Sequence, residues 1–345
     1  MNFSTEIISW YIQNKRHLPW RATKDPYKIW LSEIILQQTR IEQGLPYYLR
    51  FIEAYPTVFH LAKAADEEVL KLWQGLGYYT RARNLHATAK HVATTLNGVF
   101  PETYTGLLTL KGVGDYTASA IASICYNEPA PVVDGNVYRV LSRYFNVDTP
   151  INSTEGIKYF KELARELIYN KDPSNYNQAV MEFGAMQCKP KSPHCGTCPL
   201  NSSCGALQYN KVAQLPVKLK KGKIRTRFFN YLVINNGSQL LLQKRTGNDI
   251  WQHLYQFPLV ETPEAVERKK ITDHPIFKDL IGQKTFKIVL YNPEAIIHKL
   301  SHQHIYTKFW IVTINAPITN GIAISGITAY PVPVLIANFI EKYNF

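Results

Sequence analysis

The chain is poor in acidic residues, in long apolar runs and in cysteine, and each shortage excludes something. Twenty-six Asp and Glu stand against 39 Lys and Arg, a formal net charge of +13, with a pI near 9.3. An excess of that size favours a polyanionic partner, nucleic acid ahead of an acidic membrane surface. No apolar run approaches the roughly 20 residues that cross a bilayer, so no membrane partner is expected. The opening MNFSTEIISWYIQNKRHLPW is amphipathic rather than signal-like, which predicts an intracellular, cytoplasmic protein. Five cysteines, four of them close together, point to metal binding in a reducing compartment and not to disulfides. Internal repeats and low-complexity tracts are absent. The 345 residues suffice for two domains.

The most informative stretch runs from Leu107 to Arg143. Leu107, Leu108 and Leu110 lead into Gly112-Val113-Gly114, and a run of small and apolar residues, Ala118 to Tyr126, follows as a closely packed helix. Glycines admit left-handed backbone and close approach, and their N–H groups, with the positive end of the following helix, can hold an anion such as phosphate. An ordinary helix–turn–helix corner would use the same residues. Pro129 and Pro131 break this helix, and Asp134-Gly135-Asn136 opens the next, striped by Val137, Val140, Leu141 and Tyr144. Asp134 is placed as its N-cap.

The rest of the first two hundred residues reads as helix after helix, so this half is all-α. Leu85, Ala89, Val92 and Leu96 stripe a helix beginning near Arg81. Ile157, Phe160, Ala164 and Leu167 stripe another, and Asp66 reads as an N-cap. Residues 208–227 form a basic linker, with Lys218, Lys220, Lys221, Lys223, Arg225 and Arg227 solvated or lying along a polyanion. Beyond it the chain turns α+β. Phe229–Ile234, a turn at Asn235-Asn236-Gly237 and Gln239–Lys244 form a hairpin; strands recur at Thr285–Tyr291 and Tyr306–Ile314, and Val334–Tyr343 closes the chain as a helix. The expected domains are 1–207, the linker 208–227, and 228–345.

Cys188, Cys195, Cys198 and Cys204 follow C-x6-C-x2-C-x5-C. Four thiolates at this spacing suit either zinc or an iron–sulfur cluster. Lys189, Lys191 and His194 lie inside the loop and make it basic. Cys125 reads as a packed core residue. Glu33, within IWLSEIILQQTR, is surrounded by Ile29, Trp30, Leu31, Ile34, Ile35 and Leu36. A helical Glu usually faces solvent. Turned inward, it would have a raised pKa and suit general acid work, and paired with an ionised Asp it would break a glycosidic bond. Asp134 is the natural second member.

A glycine hairpin followed twenty residues beyond Gly114 by an Asp at a helix start resembles the helix–hairpin–helix, Gly/Pro-rich, Asp superfamily of DNA glycosylases. The cysteine spacing is similar to the [4Fe-4S] loop of its endonuclease III and MutY branch. Ser32-Glu33 through Gln37-Gln38-Thr39, Gly75-Leu76-Gly77-Tyr78-Tyr79 and Val133 to Val137 together resemble the adenine DNA glycosylase (MutY) family. That resemblance implies a monomeric base-excision repair enzyme of the nucleoid, whose partner is double-stranded DNA with adenine opposite 8-oxoguanine or guanine. It further implies that Glu33 protonates N7 of an extruded adenine, that Asp134 stabilises or transiently captures the oxocarbenium ion, and that Asn136 holds water and carboxylates. The hairpin Gly112, Val113 and Gly114 would grip a phosphate. Gln38 and Tyr78 would wedge into the stack, and Trp20, Arg21 and Gln178 would line the adenine pocket.

Lyase-type relatives carry a lysine two residues after the hairpin's second glycine, where its amine forms a Schiff base. Here Tyr116 stands instead and Lys111 is offset, so the resemblance implies a monofunctional enzyme, with Tyr116 hydrogen-bonding at the carboxylates. The C-terminal half is similar to the family's Nudix-like, 8-oxoguanine-sensing domain through LLLQKR, IWQHLYQFP and HKLSHQHIYTKFW. Ser301 and His302 match its Phe-Ser-His loop, with Leu300 in place of the aromatic. No Glu-rich Nudix box is present, so nucleotide hydrolysis is not expected. Three other readings fare worse. A damage-binding protein without catalysis would not need both Glu33 and Asp134, a glycosylase/lyase would need the missing lysine, and a dinucleotide site would need a βαβ unit around Gly112-x-Gly114.

Overall fold

In the computed structural model, which describes residues 3–220, 222, 224–343 and 345, the chain divides into two units. One comprises Met1–Lys63 and Asn84–Lys220, the other Ala64–Arg83 and Lys221–Phe345. The helices preceding the sheet are α1 (Phe3–Asn14), α2 (Pro26–Leu36), α3 (Ile41–Ala54), α4 (Val58–Lys63), α5 (Asp66–Leu72), α6 (Thr80–Thr94), α7 (Tyr104–Leu107), α8 (Asp115–Tyr126), α9 (Gly135–Tyr144), α10 (Thr154–Leu167), α11 (Pro173–Met186) and α12 (Gly205–Gln208).

In the first unit α2 is the buried axis. Pro26 at its start and the Asp25 carboxylate, which accepts from the Tyr27 amide, begin the helix, and every residue from Ile29 to Ile35 is buried. It packs on α3 and α8, while α11 packs on α1, α8 and α9. The α9–α11 approach needs Gly184: a Cβ there would lie 2.7 Å from the Asn136 Cβ and 2.9 Å from its carbonyl oxygen. Backbone meets backbone at that crossing, and this seats the start of α9 deep in the unit. Two expectations about this half need correction. Ile157 is 52% exposed; the buried stripe of α10 is Gly156, Phe160 and Ala164, because the Pro150 carbonyl presses on Gly156, where a Cβ would meet it at 2.1 Å. Asp66 does not cap α5. Ala65 does, its amide donating to Glu68 Oε2 at 3.0 Å, and Asp66 sits inside the first turn, where its charge suits the positive helix end.

The second unit is built on β1 (Arg225–Asn235), β2 (Gln239–Leu240), β3 (Gln243–Lys244), β4 (Tyr255–Gln256), β5 (Leu259–Thr262), α13 (Arg268–Thr272), α14 (Pro275–Ile281), β6 (Phe286–Leu290), β7 (Ile296–Lys299), β8 (Gln303–Ile314), β9 (Ile322–Ala323) and α15 (Val334–Tyr343). The main sheet runs β6-β8-β1-β2-β9, with β5 beside β1 and β7 beside β8. β1 and β8 are parallel, in register from Arg225↔Gln303 to Asn235↔Thr313, and parallel pairs are typically covered on both faces. Phe229, Tyr231, Val233 and Phe309 accordingly pack with Phe257 and Phe339 on one face. Leu232, Ile234, Trp310 and Val312 pack with Phe277 and Ile281 on the other. The expected hairpin forms only next to its turn, with Asn235 opposite Leu240; its second arm does not run on to Lys244, because Gln243 and Lys244 pair with β4 in a separate two-stranded sheet.

The basic segment differs from expectation at its end. Arg225 and Arg227 belong to β1, and Arg227 is 6% exposed in its side chain, paired with Asp249 at 2.8 Å and Glu261 at 2.6 Å. Those two carboxylates neutralise it inside the unit. Lys221 and Lys223 lie outside the described residues. Upstream, the segment is pinned by Ile151 donating to the Val217 carbonyl at 3.0 Å and by Asn152 exchanging two hydrogen bonds with Leu219. Residues 64–83 join the sheet through Lys244–Glu67 at 2.6 Å, Arg83 to the Gln252 carbonyl at 2.9 Å and Val332 to Gln74 at 3.3 Å. Among the described residues, no helix is long and apolar enough to cross a membrane.

Candidate active site

A cleft of about 460 Å³ in the first unit is lined by Trp20, Arg21, Glu33, Tyr116, Asp134, Asn136 and Gln178, among others. Seven residues selected from sequence for catalysis and base binding therefore share one cavity. Glu33, on α2, is 8% exposed. Burial pushes its carboxyl up to about 7, with the Tyr116 hydroxyl bond working against burial and the nearby Asp134 charge reinforcing it. A glutamic acid in that state keeps a substantial protonated fraction at neutral pH. Tyr116 is raised well above its ordinary value by burial and by the Glu33 charge, so it stays a neutral phenol; its hydroxyl lies 3.3 Å from Met181 Sδ.

Asp134 caps α9 as expected. Its Oδ1 accepts from the amides of Asn136 at 2.9 Å and Val137 at 2.8 Å, and its Oδ2 from Asn136 Nδ2 at 2.8 Å. Burial raises its carboxyl, and those donors oppose the rise. Asn136 is itself held, its Oδ1 accepting from Arg139 Nη2 at 2.9 Å. Arg139 also donates to the carbonyls of Gly184 at 2.7 Å and Cys188 at 2.7 Å, so one helix face ties the carboxylate to the head of the cysteine loop.

Arg21 reaches the cleft already engaged. Glu182 accepts from Arg21 at 2.9 and 2.8 Å and from Arg16 at 2.8 and 2.6 Å. Burial alone would raise the Glu182 carboxyl, but the two guanidinium groups hold it down at about 2. Sequence reasoning passed over Glu182, although it lies in an apolar helical setting (VMEFGAM) of the kind that singled out Glu33. Gln178 accepts from the Tyr11 hydroxyl at 3.3 Å, and Trp20 is buried edge-on against Tyr48 at 5.1 Å.

Gly112 has φ +80°, and a Cβ there would sit 2.7 Å from Asn84 Cβ. Val113 is buried and its amide donates to the Leu110 carbonyl at 3.1 Å, so it serves the turn. Gly114 caps α8 without any side-chain hydrogen bond, which leaves first-turn N–H groups for an anion. Gln38 follows α2 with φ +55° and is exposed; Tyr78, in the second unit, has φ +47° and is 50% exposed. Left-handed backbone in bulky residues is costly and clusters where function demands it. Tyr78 shares a cavity of about 320 Å³ with Trp251, Leu300, Ser301 and His302, all within the second unit. Ser301 Oγ lies 3.4 Å from His302 Nδ1 at the exposed tip of the β7–β8 turn.

Cys188, Cys195, Cys198 and Cys204 wall one cavity with Val140, Phe183, Leu200, Leu207 and Val212. Burial pushes the Cys198 thiol up and the other three thiols, close by, add to the rise; four thiolates held together here need a cationic group among them, and the residues present fit a cluster. Arg143, 3% exposed, organises the loop. It donates to the carbonyls of Lys189 at 2.7 Å, Pro190 at 3.1 Å and Leu215 at 3.1 Å, and to Cys188 Sγ at 3.4 Å. Neither Arg139 nor Arg143 was foreseen, since an arginine four residues from another on a helix ordinarily faces solvent.

Residues 31–166 match the HhH-GPD superfamily of base excision DNA repair proteins, 188–204 the iron-sulfur binding domain of endonuclease III, and 230–342 the NUDIX domain. Fold and cleft thus define a base-excision repair glycosylase: a helical domain with an iron–sulfur loop, followed by a Nudix-like domain. The adenine DNA glycosylase of Buchnera aphidicola subsp. Baizongia pistaciae is 36% identical over 318 residues, 90% of this chain and 86% of that one. The human adenine DNA glycosylase is 42% identical over 222 residues, 62% of this chain and 41% of that one. A thermostable thymine-DNA glycosylase structure superposes with TM-score 0.56 at 30% identity, over 60% of this chain and 95% of that one. The chain belongs to the adenine DNA glycosylase family. It is a hydrolase, a DNA N-glycosylase, and of the two cofactors that the cysteine spacing left open it carries the [4Fe-4S] cluster.

Proposed function

We propose that this chain hydrolyses the N-glycosidic bond of adenine opposite 8-oxoguanine or guanine in double-stranded DNA, acting as a monomer and leaving an intact abasic strand. The observation that carries the reading is Glu33, its carboxyl at about 7, in the same cleft as the triply bonded Asp134. Extruding the base costs roughly a few kcal/mol and least at a mispair. Glu33 then protonates adenine N7, which makes the base a neutral leaving group, and the Asp134 carboxylate steadies the positive charge that grows on the sugar. Water, polarised by Glu33 once it has given up its proton and positioned by Asn136, completes the reaction at C1′.

Arg21 and Gln178 offer donors and acceptors to the purine edge, with Glu182 fixing Arg21. Tyr116 has no amine to attack the sugar, and this supports a monofunctional enzyme. The hairpin around Gly112, Val113 and Gly114 grips a phosphate, Gln38 and Tyr78 wedge the stack, and Ser301 and His302 read the opposing lesion. Cys188, Cys195, Cys198 and Cys204 would hold the cluster, which would brace the loop 188–204. The test is adenine release from a duplex with adenine opposite 8-oxoguanine. Release with strand breaks appearing only after alkali supports the proposal. Direct nicking trapped by borohydride overturns its monofunctional part, and absence of release overturns the whole.

A further inference from the structure

The segment that carries Asp134 has few backbone hydrogen bonds: Glu128 donates to the Ala122 carbonyl at 3.1 Å and Ala130 to the Glu128 carbonyl at 2.7 Å. Residues 127–133, NEPAPVV, contain Pro129 and Pro131, which have no N–H, and the segment joins α8 to α9 without forming a helix or strand. Two side chains from elsewhere supply further hydrogen bonds, at Ala130, Pro131 and Val132. Asn177, fully buried on α11, accepts from the Val132 amide at 3.1 Å and donates to the Ala130 carbonyl at 2.8 Å and to Ser123 Oγ at 2.8 Å. Lys161, on α10, donates to the Pro131 carbonyl at 2.8 Å.

The Lys161 ammonium has two further partners, and both lie on the helix that follows the glycine hairpin. Nζ meets Ser119 Oγ at 3.2 Å and the Asp115 carboxylate at 3.0 and 2.9 Å. All three of its donors are therefore used, and its side chain is 15% exposed. Asp115 is the first residue of α8, beside the N–H groups left for an anion. Tyr104 completes the ring. Its hydroxyl donates to Asp115 at 2.6 Å, and its amide donates to Glu128 Oε2 at 2.6 Å, within the Asp134-bearing segment. A negative charge at this place would repel DNA phosphate, and Lys161 offsets it.

We propose that Lys161 is a positioning residue that couples the phosphate grip of the hairpin to the placement of Asp134. It does two separable things: it neutralises Asp115 at the DNA-facing turn, and it anchors the Pro131 carbonyl three residues before the catalytic carboxylate. This inference rests on the adenine-excision reading above.

The test compares wild type, Lys161→Met and Lys161→Met/Asp115→Asn on a duplex with adenine opposite 8-oxoguanine. Duplex affinity is measured at several salt concentrations, and adenine release with enzyme in saturating excess. Lys161→Met is expected to bind more weakly at low salt, because it exposes the Asp115 charge. At saturation its release should be roughly ten- to a hundredfold slower, the order expected when a reacting group is misplaced by a fraction of an ångström to one ångström. The double variant, which leaves no unpaired charge, should recover affinity but not the rate, since the Pro131 carbonyl still lacks its donor. It also serves as the readable variant if Lys161→Met does not fold, with cluster absorbance reporting the fold of both. Wild-type release rates at saturation in a folded variant overturn the positioning role. Recovery of both affinity and rate in the double variant overturns the anchoring half. If wild type itself releases no adenine, the function proposed above fails instead, so the two failures are distinguishable.

Discussion

Replacing Glu33 by glutamine should remove activity and, in the same step, make the protein more stable at alkaline pH. Burial holds the Glu33 carboxyl at about 7 against an ordinary value of 4.5. A carboxyl raised in the fold favours folding while it is protonated, and that contribution is fully present below about 4.5 and lost as pH rises through about 7. At pH 8 the folded protein must ionise a buried group that the unfolded chain ionises freely, a cost of about 3 kcal/mol at 1.36 kcal/mol per tenfold. At pH 5 the cost has shrunk to about 1 kcal/mol by the same relation. Glutamine has nearly the same shape and never carries the charge. Thermal melts of wild type and Glu33→Gln from pH 5 to pH 8 should therefore diverge by about 2 kcal/mol, several degrees in melting temperature, with the variant ahead at pH 8. Adenine release by the variant should fall by roughly 10²- to 10⁴-fold, the usual contribution of a positioned general acid, while lesion binding persists. A difference in melting temperature that does not change with pH, or near-normal excision by the variant, would refute the assignment of a buried acid.

Other perturbations read out different parts of the site. Glu182→Gln leaves Arg16 and Arg21 without their shared carboxylate and should destabilise the first unit by about 3 kcal/mol at neutral pH. Because the Glu182 carboxyl is held down at about 2, wild type should lose this advantage only as pH falls from about 4.5 toward 2, and chemical denaturation across that range checks it. Arg143→Leu strips donors from the carbonyls of Lys189, Pro190 and Leu215 and should lower cluster content, measured as absorbance near 400 nm per protein. Ser301→Ala should lower the preference for 8-oxoguanine over guanine opposite adenine by roughly several-fold, as loss of one hydrogen bond would; competition between the two duplexes measures the ratio.

What could be read from the residues alone follows a physical line. Asp134 was legible because a capping residue and the stripe of its helix lie within ten positions, and both obey local rules. Glu33 was legible because apolar neighbours enclose it in sequence as they do in space. Glu182 meets the same criterion and was passed over, because no second motif pointed to it. Arg139 and Arg143 are buried by carbonyls up to 72 positions away, and no local pattern records a partner at that distance. Arg227 was read as part of a basic run; only the pairing of β1 with β5 brings Glu261 to it. Residues 64–83 carry the Gly-Leu-Gly-Tyr-Tyr motif in a helical sequence, yet in space they belong to the sheet unit.

The most direct measurement counts free adenine released from a duplex carrying adenine opposite 8-oxoguanine, with wild type and Asp134→Asn each in excess over DNA. Wild type should release one adenine per duplex and leave the strand whole until alkali is added, and Asp134→Asn should release almost none on that timescale. Adenine release by Asp134→Asn at the wild-type rate would contradict the account, because the carboxylate that caps α9 would then have no part in breaking the bond.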